Sequence, residues 1–163
     1  MSSRAIFGAG CFWGVESAYR ALRPILDVEV GYAGGDRADP TYEAVCSGST
    51  GHAEVVRVEF DAAQISYEQL LETFFESHDP TQMNRQGPDV GTQYRSLVLA
   101  MDEDQASAAR SAIEEAERAG RFGGRPIVTD VLMYDGSGNA RFWRAEEYHQ
   151  RYFEKKGIES CRI

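Results

Sequence analysis

Apolar positions along this chain recur with two periods, and segments of one period alternate with segments of the other. Arg4–Gly8 is a short apolar run that predicts a buried strand, and Phe12–Arg20 follows with helical spacing until Pro24 stops it. Ile25–Tyr32 and Ala53–Phe60 place Val28, Val30 and Tyr32, then Val56, Val58 and Phe60, at the period of two that marks a strand with one buried face. Ser66-x-x-Gln69 is a capping box that opens a helix with Tyr67, Leu70, Leu71, Phe74 and Phe75 on its apolar side and Asp79-Pro80 at its close. Leu97-Val98-Leu99 predicts a further strand. Asp102 caps a long helix with Ala106, Ala109, Ile113 and Ala116 along one side and Gly120 past its end. Ile127–Tyr134 reads as a strand, Asp135-Gly136 as a turn, and Ala145–Lys156 as a last amphipathic helix. Two irregular stretches remain, Ala33–His52 and Thr81–Thr92, and a loop as long as the first in a compact fold is usually functional or disordered.

Strands interleaved with helices through connections of mixed length predict an α+β fold, a two-layer sandwich with a mixed sheet whose strand order stays open. The 163 residues suit one domain, 1–163, with Gly157–Ile163 expected as a mobile tail carrying Cys161. Composition is that of an ordinary globular protein, with no membrane-length apolar run and no signal-peptide pattern, so a cytoplasmic location is expected. A net charge of −9 argues against nucleic acid and anionic membranes as partners. The three cysteines are an odd number without a closely spaced pair, which argues against a disulfide scaffold.

The chemistry concentrates at Gly8-Ala9-Gly10-Cys11-Phe12-Trp13-Gly14, where a strand gives way to a helix. A thiol there faces the first N–H groups of the helix, whose dipole is expected to lower its pKa. Phe12 and Trp13 beside it look exposed and suit an apolar or sulfur-bearing ligand. Other motifs fail: Gly14 falls one place too late for a dinucleotide fingerprint, no P-loop is present, and His52-Ala53-Glu54 lacks the Pro-Cys-x-x-Cys that zinc deaminases need. No His and Cys spacing suits a metal, so none is expected.

Four segments together carry a resemblance: GCFWGVE, TYEAVCSGSTGHAEVVRVEFD, HDPTQMNRQGPDVGTQYRS and FWRAEEYHQRYF. In their order and spacing, from about Ile6 to Phe153, they resemble the MsrA-type peptide methionine sulfoxide reductases. The resemblance implies a ferredoxin-like core and thioredoxin-dependent reduction of methionine sulfoxide, free or in proteins, with preference for the S epimer. It implies a monomer without a cofactor. Carried over by position, Cys11 is the nucleophile, and Phe12 and Trp13 wall the pocket for the substrate's S-methyl group. Glu54 protonates the sulfoxide oxygen, Tyr42 and Tyr94 hydrogen-bond it, and Asp89 is the acid beside the substrate. Cys161 resolves the sulfenic acid. Elementary chemistry fits these roles, because a sulfoxide oxygen leaves only if protonated, and a carboxyl in an aromatic pocket keeps its proton near neutrality.

The tail departs from the family pattern: KKGIESCRI offers only Gly157 as a flexible point. Cys46 therefore stays a competitor for the resolving role, although the resemblance makes it structural. Two other function classes remain open on residues alone. His149 in EEYHQ suggests a Cys-His hydrolase, and Cys11 without a sulfoxide pocket would be a redox sensor. His149, Gln150 and Trp143 otherwise read as packing of the last helix.

Overall fold

The computed structural model describes residues 2–136 and 141–157. Among them six strands form one sheet. The central four are β1 (Ser3–Ala9), β2 (Ile25–Ala33), β3 (Ala53–Phe60) and β6 (Ser96–Ala100). β1 pairs antiparallel with both β3 and β6, and β2 pairs antiparallel with β3. Helix α1 (Phe12–Arg20) joins β1 to β2, and α3 (Tyr67–Glu76) lies between β3 and β6. Two interlocked βαβ units in the order β6-β1-β3-β2 make the expected ferredoxin-like α+β core. Helix α4 (Glu103–Arg118) then leads to β7 (Asp130–Met133), parallel to β6, and β8 (Trp143–Arg144) closes the other edge.

The period-two pattern decides which way each strand faces. Phe7, Val30, Val56, Val58 and Val98 share one core with Val15 and Tyr19 of α1, Leu70 and Phe74 of α3 and Ala109 of α4. Phe7 anchors it, stacked on Tyr19 at 5.3 Å and tilted against Phe74 at 5.4 Å between ring centroids. The alternate residues Ile6, Val55, Leu97 and Leu99 pack beneath Phe142 on the opposite face. Glu54 continues the Val56-Val58-Phe60 series by two residues, so the same alternation aims its carboxyl at the helix side, in register with Tyr32.

The expected caps are present: Ser66 forms a complete capping box with Gln69, and Asp102 accepts from the Gln105 N–H at 2.8 Å. Ala33–His52 contains a short helix, α2 (Tyr42–Cys46), and Thr81–Thr92 contains a minimal hairpin of β4 (Arg85–Gln86) and β5 (Asp89–Val90). The strand expected over Ile127–Tyr134 is confined to β7. The single last helix over Ala145–Lys156 is a correction. That stretch is a 3-10 turn at Glu147–His149, a left-handed Arg151 (φ 57°) and a short α5 (Tyr152–Lys155). The cause is tertiary. Gln150 is buried and its amide bonds the N–H and C=O of Val30 and the C=O of Ala145, each at 3.0 Å, while Glu16 accepts the Arg151 N–H at 3.0 Å. Those bonds satisfy the chain in a non-helical course that its apolar spacing alone does not reveal.

Gly31, opposite Arg144, is where β8 closes on β2. A Cβ there would lie 2.4 Å from the Trp143 carbonyl and 2.5 Å from the Phe142 ring. Gly31→Ala is expected to destabilise by roughly 1–3 kcal/mol through overpacking, more than the ~1 kcal/mol of removing the helix cap with Ser66→Ala. Thermal denaturation of the two variants should rank them in that order.

Candidate active site

Gly10, at φ 93°, turns the chain out of β1, and Cys11 takes the N-cap position of α1. The N–H groups of Trp13 and Gly14 draw the thiol pKa down, as the dipole argument expects, but they do not decide it. Burial first, then the charge of Glu54, and then that of Asp89 outweigh them, and the thiol is pushed up to about 12. The expectation of a lowered pKa is thus corrected. At rest Cys11 keeps its proton.

The Glu54 side shows the reciprocal effect. Glu54 is 2% exposed, and its Oε1 accepts the backbone N–H of Phe12 at 3.1 Å, the residue next to the thiol. Burial raises its pKa from 4.5 to about 7, opposed by that hydrogen bond and reinforced by Asp89. A carboxyl so placed exchanges a proton at neutral pH, the property a general acid needs.

Tyr42 and Tyr94 stand close enough to feel the same charges. Burial first, then interactions with Cys46 and Glu54, hold the Tyr42 phenol well above its ordinary value. Burial, then Glu54, Cys46, Asp89 and Cys11, push Tyr94 up to about 12. Both phenols therefore remain hydrogen-bond donors throughout the neutral range. Cys11, Glu54, Tyr42, Tyr94 and Asp89, far apart in sequence, form one electrostatically coupled group.

The two irregular segments deliver two of those five residues, Tyr42 and Asp89, and these segments and the Tyr94 turn are pinned by polar side chains. His52 accepts the Gly35 N–H on Nδ1 at 3.0 Å and donates from Nε2 to the Arg37 carbonyl at 2.6 Å, closing the loop that leads to Tyr42. Glu146 accepts from the Tyr42 N–H and the Tyr32 hydroxyl, both at 2.9 Å. Gln86 bonds the N–H and C=O of Asp79 at 2.9 Å each, and its side chain fills the space a Cβ on Gly10 would need, which sets the hairpin bearing Asp89 over the nucleophile's turn. Gln93 ties the Tyr94 turn to the Cys46 carbonyl at 3.4 Å.

The aromatic pair divides its work. Phe12 is 1% exposed, enclosed by Tyr32, Trp13, Tyr42 and His149, so the expected shared exposure of the pair is corrected. Trp13 is half-buried, and its indole N–H donates to His149 Nδ1 at 3.1 Å. That bond occupies the lone pair a hydrolytic base would need, which removes the physical footing of the Cys-His hydrolase. Reasoning from sequence weighed His149 only as a hydrolytic base or as packing and missed its bond to Trp13, and it missed Glu146 as part of this site and His52 and Gln86 as its supports. The usable signal was EEYHQ, whose polar residues do not fit the buried side of a helix.

Cys46 is exposed at the end of α2, beside the site and not in the core. Cys161 lies outside the described residues, so the tail's expected role has no geometry to report. No helix among the described residues is long and apolar enough to cross a membrane.

The family model for "Peptide methionine sulfoxide reductase" matches residues 3–163. The peptide methionine sulfoxide reductase MsrA of Acidobacterium capsulatum is 53% identical over 161 residues, covering 99% of each chain. Among solved structures, methionine sulfoxide reductase A of Corynebacterium diphtheriae superposes with a TM-score of 0.89 at 34% identity, over 98% of this chain and 77% of that one. Reduced Mxr1 from Saccharomyces cerevisiae gives 0.85 at 36% identity, over 96% and 86%. Mxr1 has also been solved in complex with Trx2, where the likeness is 24% identity at a TM-score of 0.60, over 89% and 91%.

The coupling of Cys11 to Glu54 has opposite consequences for two measurements. Glu54→Gln removes a charge that holds the thiol up, so alkylation of Cys11 by iodoacetamide at pH 8, followed by peptide mass spectrometry, should quicken roughly three- to tenfold. The same substitution should stabilise the fold at pH 8. A carboxyl whose folded pKa is raised from 4.5 to about 7 contributes its full stability below pH 4.5 and loses it as pH rises to about 7, a difference of ~3 kcal/mol. Melting curves at pH 4.5 and pH 8 should show the Gln variant gaining only at the higher pH.

Proposed function

The chain belongs to the peptide methionine sulfoxide reductase family and is an oxidoreductase of methionine sulfoxide, and we propose that Cys11 is its nucleophile and Glu54 its acid. The observation that carries this reading is the buried Glu54 carboxyl, with its pKa at about 7, bonded to the N–H next to the thiol.

One proton shared by the pair is enough for the chemistry. In the neutral to alkaline range the thiol holds it, since Cys11 stands at about 12 and Glu54 at about 7. When a sulfoxide displaces water from the pocket, the proton passes to Glu54 and on to the sulfoxide oxygen as the sulfur of Cys11 attacks the substrate's sulfur. An S–S bond forms as the S–O bond breaks and the protonated oxygen departs as hydroxide; the hydroxide then attacks the Cys11 sulfur, the S–S bond breaks toward methionine, and Cys11 is left as a sulfenic acid with the thioether restored. Two electrons have moved from one sulfur to the other. The Tyr42 and Tyr94 hydroxyls donate to the oxygen while its charge develops. Trp13, backed by Phe12, forms the wall for the S-methyl group, and Asp89 is the acid at the pocket's edge. Preference for the S epimer is what membership of the family implies.

Cys161 then condenses with the sulfenic acid, releasing water and leaving a Cys11–Cys161 disulfide that a dithiol donor reduces by exchange. Thioredoxin is the donor of choice, the class of partner with which yeast Mxr1 has been solved. Free and protein-bound methionine sulfoxide both fit a monomer that works without a cofactor in the cytoplasm.

Mass spectrometry after mixing reduced protein with methionine sulfoxide should show the loss of two hydrogens, mapped to a Cys11–Cys161 crosslink. Cys11→Ser should lose all activity. Cys161→Ser should complete one turnover and fail to repeat it with thioredoxin, whereas Cys46→Ser should cycle normally. If Cys46→Ser is the variant that stops after one turnover, the resolving role moves to Cys46.

A further inference from the structure

We propose that His149 is the positioning residue for Trp13, fixing the indole plane against which the substrate's thioether half is held; this rests on Trp13 being the pocket wall. The indole is fixed at two places. Tyr152 stacks on one face at 3.8 Å between ring centroids and 9° between planes. The indole N–H meets Nδ1 of His149 at 3.1 Å. Tyr42, the phenol proposed for the sulfoxide oxygen, lies 6.4 Å from the indole at 25° between planes. Stacking alone lets an indole slide and rotate within its plane, so the directional bond to His149 sets its orientation.

Packing alone does not account for a histidine here. The residue is 1% exposed, and it touches the rings of Phe12, Trp13, Tyr42 and Tyr148. Because Nδ1 accepts from Trp13, the ring's proton is on Nε2, and Nε2 is buried without a partner among the described residues. A buried N–H left unpaired is unfavourable, and a phenylalanine would fill the same space without one. The acceptor at Nδ1 is therefore the property that the site uses. The chain around it is built to present that nitrogen: Gln150 clamps the segment to Val30, Glu16 holds the Arg151 N–H, and the helix expected here is interrupted between them.

A wall touches the non-reacting methyl in the ground state as much as in the transition state, so its loss raises KM and leaves kcat nearly unaltered. His149→Leu should raise KM for N-acetyl-methionine sulfoxide about tenfold, the order of one lost contact in an apolar pocket, with kcat within about twofold of the parent. His149→Asn, whose side-chain oxygen lies near the position of Nδ1, should restore most of the KM. In a Trp13→Phe background, which has no indole N–H, the Leu and Asn variants should have the same KM. Nitrogen-15 NMR of the parent protein tests the bond without any variant, and should find His149 protonated on Nε2 alone, with the Trp13 indole proton shifted downfield. The proposal is overturned if His149→Leu costs as much in the Trp13→Phe background as in the parent, if kcat falls at constant KM, or if the proton is on Nδ1. A parent protein that turns over no sulfoxide would sink the sulfoxide assignment itself, an outcome distinct from any of these.

Discussion

A carboxyl removed from water and left with a single backbone N–H for company is the constraint on which the rest of this structure turns. Glu54 is placed there by the alternation of β3, which gives it the same side as Val56, Val58 and Phe60, and by the helix start that supplies the Phe12 N–H. Burial holds its proton to near neutrality, and its charge, when present, holds the proton of Cys11. The two groups thus behave as one acid that shares a proton, with Asp89, Tyr42 and Tyr94 in the same field. The ionised form of Glu54 strains the fold at the pH where the chemistry runs, a cost accepted at a functional site.

The sheet and helices supply rigidity, and the irregular segments supply the chemistry. β1 and α1 carry Cys11 and β3 carries Glu54, while α2's segment, the β4–β5 hairpin and the Tyr94 turn bring the remaining groups to them. Each of those segments is fastened by a polar side chain, His52, Glu146, Gln86 or Gln93, bonded to main-chain groups. Such fastenings substitute for the regular ladders the segments lack, and they explain why long loops here hold fixed positions.

What could be read from the sequence follows the same division. β1, β2, β3, β6 and β7, with α1, α3 and α4 and the caps of the last two, were legible because local periodicity and capping chemistry decide them. Glu54 was legible as the acid only through the family resemblance, and the burial that raises its pKa is set by tertiary packing that its own residues do not reveal. The thiol's pKa was misjudged: the helix N-terminus is visible in sequence, but the burial and the carboxylate that outweigh it are set by strands and loops remote along the chain. The segment from Ala145 was misjudged for a similar reason. Its spacing suits a helix, and only the tertiary bonds of Gln150 and Glu16 show that it is a strap over α1.

The most direct test of the central claim is the titration of Glu54 itself. Carbon-13 NMR of its side-chain carboxyl, assigned by comparison with Glu54→Gln, should follow a midpoint near 7 in the reduced protein. A midpoint at or below the ordinary glutamate value of 4.5 would mean that the carboxyl is ionised throughout the neutral range, and the shared-proton account would be wrong.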